Sequence, residues 1–296
     1  MPSEIFYWLL NMSLSVAVFG VFVLIIRTIK KIPRRIFVWL WFIPFLRMII
    51  PFSIGVRFSL LNLISGTTSL IKTVNSSFSD LLVQYNSLQF ARSYHPFEFK
   101  SERYESAFFT FSIVWITVTV ILLIVLFTTY FSVLKDAANA KKYKDNIFLS
   151  DVFLSPTVVG IIRPKIIIPY SYLGKKLDLV FSHEKMHIRY ADNLWKLAAF
   201  IIVCFHWFNP FSWLFLKLMV NDIELACDER VLSYYEDEKK KEYGNVLIDC
   251  VSINNVGGKG MKRRLVNIMS YERLTSVSAL CYVTIVTVLF LILLFN

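Results

Sequence analysis

Histidine is scarce in this chain, with four residues among 296, and two of them, His95 and His206, stand alone and are read as non-ligands. Any histidine-based site must therefore be built around the remaining pair. Cysteine is equally sparse. Cys204, Cys227, Cys250 and Cys281 show no CxxC spacing and fall in segments read below as cytosolic or membranous, so structural disulfides are not expected. The one glycine-rich stretch, Gly257 to Gly260, follows no strand and carries no phosphate-loop pattern; it reads as a flexible linker. No nucleic-acid-binding module occurs. The net charge of +11 is accordingly assigned to membrane topology and an anionic inner leaflet.

Charge is also missing from four long runs. Ile5 to Ile26, Ile36 to Ile54, Phe108 to Phe131 and Ser276 to Phe295 are each long enough to cross a hydrocarbon core of about 30 Å as a helix, and only Arg47 interrupts them. With 56% hydrophobic residues and a mean hydropathy of +0.57, the chain is too apolar for a soluble globule of this size. The first run lacks a basic leader and carries Glu4, so it reads as an uncleaved anchor. Arg27, Lys30, Lys31, Arg34 and Arg35 follow it and place that loop in the cytoplasm, which sends the N-terminus and, after four crossings, the C-terminus outside. Arg47 lies near enough to the outer end of its span to snorkel. The resulting organisation is a membrane region, 1–131, with an external loop at 55–106; a cytosolic domain, 132–275; and a fourth span, 276–296.

Against that background His183-Glu184-Lys185-Met186-His187 stands out. Residues four apart share one face of a helix, so both imidazoles can reach one metal while Glu184 points to its open position. A carboxylate so placed can take a proton from a metal-activated water, which is the logic of a zinc peptidase. A catalytic zinc wants a third protein ligand. Glu224 and Asp228, again four apart, supply a ligand and a hydrogen-bond partner for a ligating imidazole. Cys227, between them, is expected to face away from the metal.

Leu197 to Leu216 is twenty residues without formal charge, yet a shared metal between His187 and Glu224 requires an even number of crossings between them. Asn209-Pro210 breaks the run into two arms of about 18 Å each, too short to span. The reading is a helical hairpin that either dips into the inner leaflet or forms the core of a cytosolic domain. Phe153 to Pro169 reads as two short strands and a turn, a candidate edge for holding an extended substrate or an ordinary structural hairpin.

These residues resemble the membrane-bound zinc peptidases of the BlaR/MecR antirepressor family. The resemblance rests on Arg47 to Ser53, Ser155-Pro156 through Gly160 to Arg163-Pro164-Lys165 and Pro169, His183 to His187 with Asp192-Asn193, His206 to Pro210, and Glu224 to Asp228. It implies His183, His187 and Glu224 as Zn2+ ligands, Glu184 as general base and acid, and Asp228 as a partner of a ligating imidazole. The implied fold is a mainly α membrane protein: four transmembrane helices, a gluzincin-like α+β cytosolic zinc protease domain and the dipping hairpin. The implied setting is the bacterial plasma membrane. A cytosolic repressor is the implied substrate, with no direct nucleic-acid contact, and homo-oligomers are among the partners it allows. The family's receptors also cut themselves before the fourth span, which points to Val256 to Arg273, a basic stretch that reads equally well as an anchor on anionic lipid head groups. Their external penicillin-binding sensor has no counterpart before Asn296, which leaves open whether β-lactams are sensed: the chain is either a short relative or one cut after the fourth span. Two other readings stand beside this one. A quality-control protease resembling the HtpX or CAAX type would share the zinc motifs, and a non-catalytic zinc receptor or scaffold would need a fourth Cys or His that has no candidate at suitable spacing.

Overall fold

The computed structural model describes residues 2–29, 32–49, 102–173, 177–235, 239–254, 259–271 and 276–294. The end of the second span at 50–54 and the expected external loop up to residue 101 lie outside these residues, as does His95, while 102–106, the rest of that loop, are helical. Helix α1 (Pro2–Arg27) covers the first apolar run and is about 39 Å long at helical rise. The second run is helical from Arg34 but not uniform. Helix α2 (Arg34–Phe37) tightens into a 3-10 turn (Val38–Trp41) before α3 (Phe42–Ile49). The tightening falls just ahead of Pro44, which offers no N–H to the Leu40 carbonyl.

These elements and the hairpin share one apolar core, with Phe19, Phe37, Leu40, Trp41, Ile43 and Phe215 at its centre. Gly20 is required there, because a Cβ at that position would fall inside the Phe215 ring. Arg47 departs from expectation: it is buried, 6% exposed, with its guanidinium 5.1 Å from the Phe19 ring centroid, instead of reaching an interface. An aromatic face offers a buried guanidinium a cation–π partner that an aliphatic wall would not.

Helix α4 (Glu102–Ala138) contains, at Ala107–Ala138, the one helix among the described residues that is long and apolar enough to cross a membrane, its 18-residue apolar stretch having a mean hydropathy of 2.7. It passes residue 131 unbroken and delivers Ala137 into a cluster with Val159 and Ile167 of the sheet. The sheet has the order β1 (Lys141–Lys144), β2 (Ile147–Ser150), β4 (Lys165–Pro169), β3 (Thr157–Val159). The pair β2–β4 is parallel and the outer pairs are antiparallel. The hairpin expected between Phe153 and Pro169 is present as β3 and β4, with Gly160 at φ +95° in the connection, a conformation that side chains disfavour. The strands β1 and β2 were not legible: β1 is Lys-Lys-Tyr-Lys, exposed throughout, and lacks alternation.

Helix α5 (Leu177–Arg189) carries HExxH and ends where Ala191 turns left-handed, φ 53°. Helix α6 (Asp192–Phe205) and α7 (Pro210–Tyr234) form the expected hairpin. Asn209 caps α7 through its side-chain oxygen on the Phe211 N–H, and Pro210 sits at the first helical position. The second arm does not stop at Leu216, where the apolar run ends. Helix α7 runs on for 25 residues, so the apolar arm and the acidic segment at 224–228 are one rigid rod.

Helices α8 (Lys239–Asn254) and α9 (Lys259–Met269) close the domain, and α10 (Ser276–Leu294) is the last apolar run. The expected flexible segment is largely helical. Gly260 lies inside α9, and Ile268 and Tyr271 are buried against Leu179, Val231 and Tyr243. Residues 255–258 and 272–275 lie outside the described residues.

Candidate metal centre

One turn of α5 projects His183 and His187 to the same side, where the Nε2 atoms come within 3.2 Å of each other. Helix α7 crosses beneath and brings the Glu224 carboxylate to 3.6 Å from His183 Nε2 and 3.7 Å from His187 Nε2. Ligand atoms at 2.0–2.1 Å from a tetrahedral metal stand about 3.4 Å apart, so these three donors have the spacing of a shared ion. Glu184 is 6% exposed and lines the same cleft as the three donors.

The far side of each imidazole is held. Asp192 Oδ2 lies 2.7 Å from His187 Nδ1 and accepts its proton. On His183, Nδ1 lies 2.8 Å from the Tyr243 hydroxyl, which itself donates to Asp228 Oδ1 at 2.8 Å. Asp228 Oδ1 is also 3.3 Å from that Nδ1. Both Nδ1 atoms are therefore donors, and both Nε2 lone pairs converge on one point. Two lone pairs that close repel unless a cation lies between them.

The local field supplies the attraction. Burial opposes charge on His187, but Cys227, Asp192 and Glu224 outweigh it and raise its pKa to about 9. His183 is raised as well, burial again being overcome by Cys227, Tyr243 and Asp228. Burial would push the Glu224 carboxyl up, yet Lys196, the two histidines and Arg264 hold it well below the usual carboxylate range. The pocket is thus built to draw a positive charge between the imidazoles, and protons and a metal compete for it.

Two cations frame the carboxylate. Lys196 Nζ on α6 donates to Glu224 Oε1 at 2.9 Å. Arg264 of α9 holds Asp228 with two bonds of 2.8 and 2.6 Å and stands 3.7 Å from Glu224 Oε2 and 3.4 Å from His183 Nε2. Cys227 corrects the expectation made for it. Its Sγ lies 3.4 Å from His183 Nδ1 and 3.3 Å from the His183 carbonyl, and it can group with both histidines within 4.8 Å. Residues three apart share a helical face nearly as well as residues four apart, so Cys227 accompanies Glu224 and Asp228 to the inner side. Its approach from the Nδ1 side leaves Glu224 better placed for the Nε2 point.

The structure brings together every residue expected at the site, His183, Glu184, His187, Glu224 and Asp228, and adds Asp192, Lys196, Tyr243 and Arg264. His206 stays apart. It accepts from Ser13 Oγ at 2.6 Å through Nδ1 and donates to the Met48 carbonyl at 3.0 Å through Nε2. The cleft over the centre has a volume of about 490 Å³ and is bordered by Pro156, Thr157 and Val158 at the sheet's edge, Leu179 and Val180 of α5, and Met261 of α9.

Comparison with known proteins gives the same direction. The chain is 27% identical over 138 residues to the regulatory protein BlaR1 of Bacillus licheniformis, covering 42% of this chain and 23% of that protein. It is 25% identical over 114 residues to a methicillin resistance mecR1 protein of Staphylococcus aureus, 36% of this chain and 20% of the relative. Against the regulatory protein BlaR1 of Staphylococcus aureus the identity is 25% over 299 aligned positions, 86% of this chain and 50% of the relative. The chain therefore spans between a fifth and half of the length of these relatives. The family model described as BlaR1 peptidase M56 matches residues 7–273, a stretch that takes in α1, the sheet, the hairpin and both histidine-bearing turns, and on that match the chain belongs to the BlaR1 peptidase M56 family.

Proposed function

We propose that this protein is an integral membrane zinc metalloendopeptidase of a signalling system, with His183, His187 and Glu224 as metal ligands and a cytosolic repressor, or the chain itself, as substrate. The observation that carries the reading is the triangle of donors at 3.2, 3.6 and 3.7 Å, with Glu184 on the same turn of helix and in the same cleft. Two imidazoles and one carboxylate suit zinc and leave a coordination position for chemistry. When bound, such a metal supplies a Lewis acid that acidifies water and polarises a carbonyl.

The chain's own residues provide the rest. Glu184 takes a proton from the attacking water and returns it to the leaving amine, a role that needs hydrogen-bond reach into the cleft it lines. Asp192, and Tyr243 with Asp228, keep each Nδ1 as the donor and each Nε2 as the ligand atom. The edge strand β3 lies beside the cleft, where an extended peptide could pair with it, although the Val158 carbonyl already accepts from Asn193 Nδ2 at 2.7 Å. Four spans with both termini outside, and the boundaries 131/132 and 275/276, belong to this proposal and are supported by the apolar α4 and by the charge of the first loop. Self-cleavage between 256 and 275 would require α9 to unwind or the cut to fall at its ends.

Cys227 favours a second reading, a structural site in a non-catalytic scaffold in which its thiolate takes the place of Glu224 beside the two histidines. The purified chain separates the two. Metal analysis together with an assay on a candidate repressor should find about one zinc per chain and metal-dependent cleavage. Zinc without cleavage, retained in Glu224→Ala but lost in Cys227→Ala, would establish the structural site instead.

A further inference from the structure

Of the two cations that frame Glu224, one still has protons to offer. Arg264 spends Nε and Nη2 on the Asp228 carboxylate at 2.8 and 2.6 Å, and Nη2 also stands beside His183. Lys196 is far less committed. Its ammonium has three N–H groups, and among the described residues only Glu224 Oε1, at 2.9 Å, accepts from it. The side chain is 23% exposed and opens onto the cleft, which it lines together with Glu184 and both metal-site histidines. Burial works against its charge, but Glu224 and Asp192 outweigh burial and hold the Lys196 pKa above the ordinary lysine value. It therefore faces the cleft as an ammonium.

Helix α6 sets where that ammonium stands. Asn193 and Lys196 are three residues apart and share one face of the helix. Asn193 Nδ2 donates to the Val158 carbonyl at 2.7 Å, which fastens this face to the edge strand β3. Lys196, one turn further on, thus reaches the centre from the side of β3, and its Nζ is a single hydrogen bond away from an oxygen of the proposed ligand Glu224. A peptide that lies in the cleft beside β3 and presents a carbonyl to His183, His187 and Glu224 brings that oxygen within reach of Nζ.

We infer that Lys196 is a further catalytic residue, a donor that stabilises the oxygen of the scissile carbonyl as it gains negative charge. The inference rests on the metallopeptidase reading above. As water adds to the carbonyl carbon, the π pair of C=O moves onto the oxygen and Glu184 takes one proton of the water. Lys196 gives a hydrogen bond to that oxygen and keeps its own proton. When the C–N bond breaks, the pair on oxygen restores the carbonyl and Glu184 returns its proton to the amine nitrogen, so one water yields one carboxylic acid and one amine. A fixed donor aimed at charge that exists only in the transition state is worth about 10²- to 10³-fold in turnover. The other use of this ammonium would be to hold Glu224 in place as a ligand. The two uses have opposite effects on the metal, because a cation that merely stands beside the centre repels a divalent ion, while a residue that positions a ligand strengthens its binding.

The purified full chain in detergent separates them through binding. Wild type and Lys196→Met are compared for zinc affinity by chelator competition and, once zinc-loaded, for a phosphinic peptide with leucine on each side of the phosphorus group. Leucine suits the wall formed by Leu179, Val180 and Met261, and the phosphinate oxygens carry the charge that the carbonyl oxygen gains only in the transition state. The corresponding unmodified peptide is measured on both proteins in a Glu184→Ala background. Lys196→Met should bind zinc as tightly as wild type or up to about tenfold tighter, bind the unmodified peptide equally, and bind the phosphinic peptide about 10²-fold more weakly. If Lys196→Met does not fold, Lys196→Gln, which keeps a neutral donor, takes its place with a loss of about tenfold. Equal loss of both peptides, or loss of neither, overturns the inference. Weaker zinc binding in Lys196→Met also overturns it and makes the lysine a holder of Glu224, as does a zinc-loaded wild type that ignores the phosphinic peptide. A wild type that binds no zinc would instead remove the metallopeptidase reading, and the inference with it.

Discussion

The two histidines of α5 and the single histidine at the tip of the hairpin are all buried, yet they are used in opposite ways. His206 spends both ring nitrogens, one on Ser13 and one on Met48, and ties α6 to α1 and α3. His183 and His187 use Nδ1 on buried partners, while their Nε2 atoms face each other and a carboxylate, with Arg264 Nη2 3.4 Å from that of His183. Burial does not separate the proposed ligands from the structural histidine; the Nε2 turned toward the Glu224 carboxylate does. The same contrast extends to the acids of α7. Asp222 is fully committed, accepting two bonds of 2.8 Å from Arg27 and one of 2.9 Å from Trp41, while Glu224 two residues on keeps an oxygen toward each imidazole. One helix therefore fastens the bundle with one acid and presents the next to the cleft.

The strongest way to break this contrast is to remove the converging groups. Replacing His183, His187 or Glu224 by Ala should abolish most of the bound zinc, measured by plasma mass spectrometry on purified protein, and all proteolysis with it. Glu184→Ala should retain the zinc and lose turnover by about 10²- to 10⁴-fold, because only the proton acceptor is gone. Full activity in Glu184→Ala would end the hydrolytic reading.

A second variant sharpens the comparison by making a ligand histidine less well held. In Asp192→Asn the amide no longer fixes Nδ1 as donor, so zinc affinity should fall by about 10- to 100-fold in a chelator competition. An unchanged affinity would mean that the break at Ala191 and the packing of α6 orient His187 without the carboxylate. The complementary change, His206→Ala, should leave zinc per folded chain untouched and lower stability by about 1–3 kcal/mol, the cost of leaving buried partners unmet. Thermal unfolding in detergent reads this as a lower midpoint. Loss of zinc in His206→Ala would show that the two regions are not separable.

What could be read in the amino-acid order follows from the range over which each device acts. The spacing of HExxH and of Glu224 with Asp228 is local and periodic, so those residues were legible, and so was the Asn209-Pro210 break, whose cap and proline act within one turn. Asp192 was less so, since its contact with His187 depends on a left-handed residue, Ala191, that no periodicity announces. Tyr243 and Arg264 reach His183 from 60 and 81 residues away, across packing that no spacing rule reports. Arg47 was misread for a related reason: its partner ring, Phe19, is on another helix, and an isolated charge in an apolar run suggests an exit to water. In β1 the exposed lysines hide a strand that exists only because β2 is there to pair with it.

The smallest predicted effect concerns Arg264. Its guanidinium stands 3.4 Å from His183 Nε2 and 3.7 Å from Glu224 Oε2, a fixed positive charge beside the point where a metal would sit, and at such distances like charges repel. The same guanidinium neutralises Asp228, which is fully buried and would otherwise bear its charge with only Tyr243 and His183 for company. In Arg264→Gln the repulsion goes, and the Asp228 charge, now uncompensated, acts on the metal through His183. Both changes favour a divalent cation. Zinc affinity should therefore rise about three- to tenfold, roughly 1 kcal/mol once partial exposure of the side chain is allowed for. Amide exchange along α9 should quicken at the same time, because the helix loses its bidentate hold on α7. A chelator competition that shows weaker binding in Arg264→Gln would mean that Arg264 shapes the site more than it opposes the ion. Slower or unchanged exchange in α9 would mean that Ile268 and Tyr271, buried against α5 and α8, hold the helix without it.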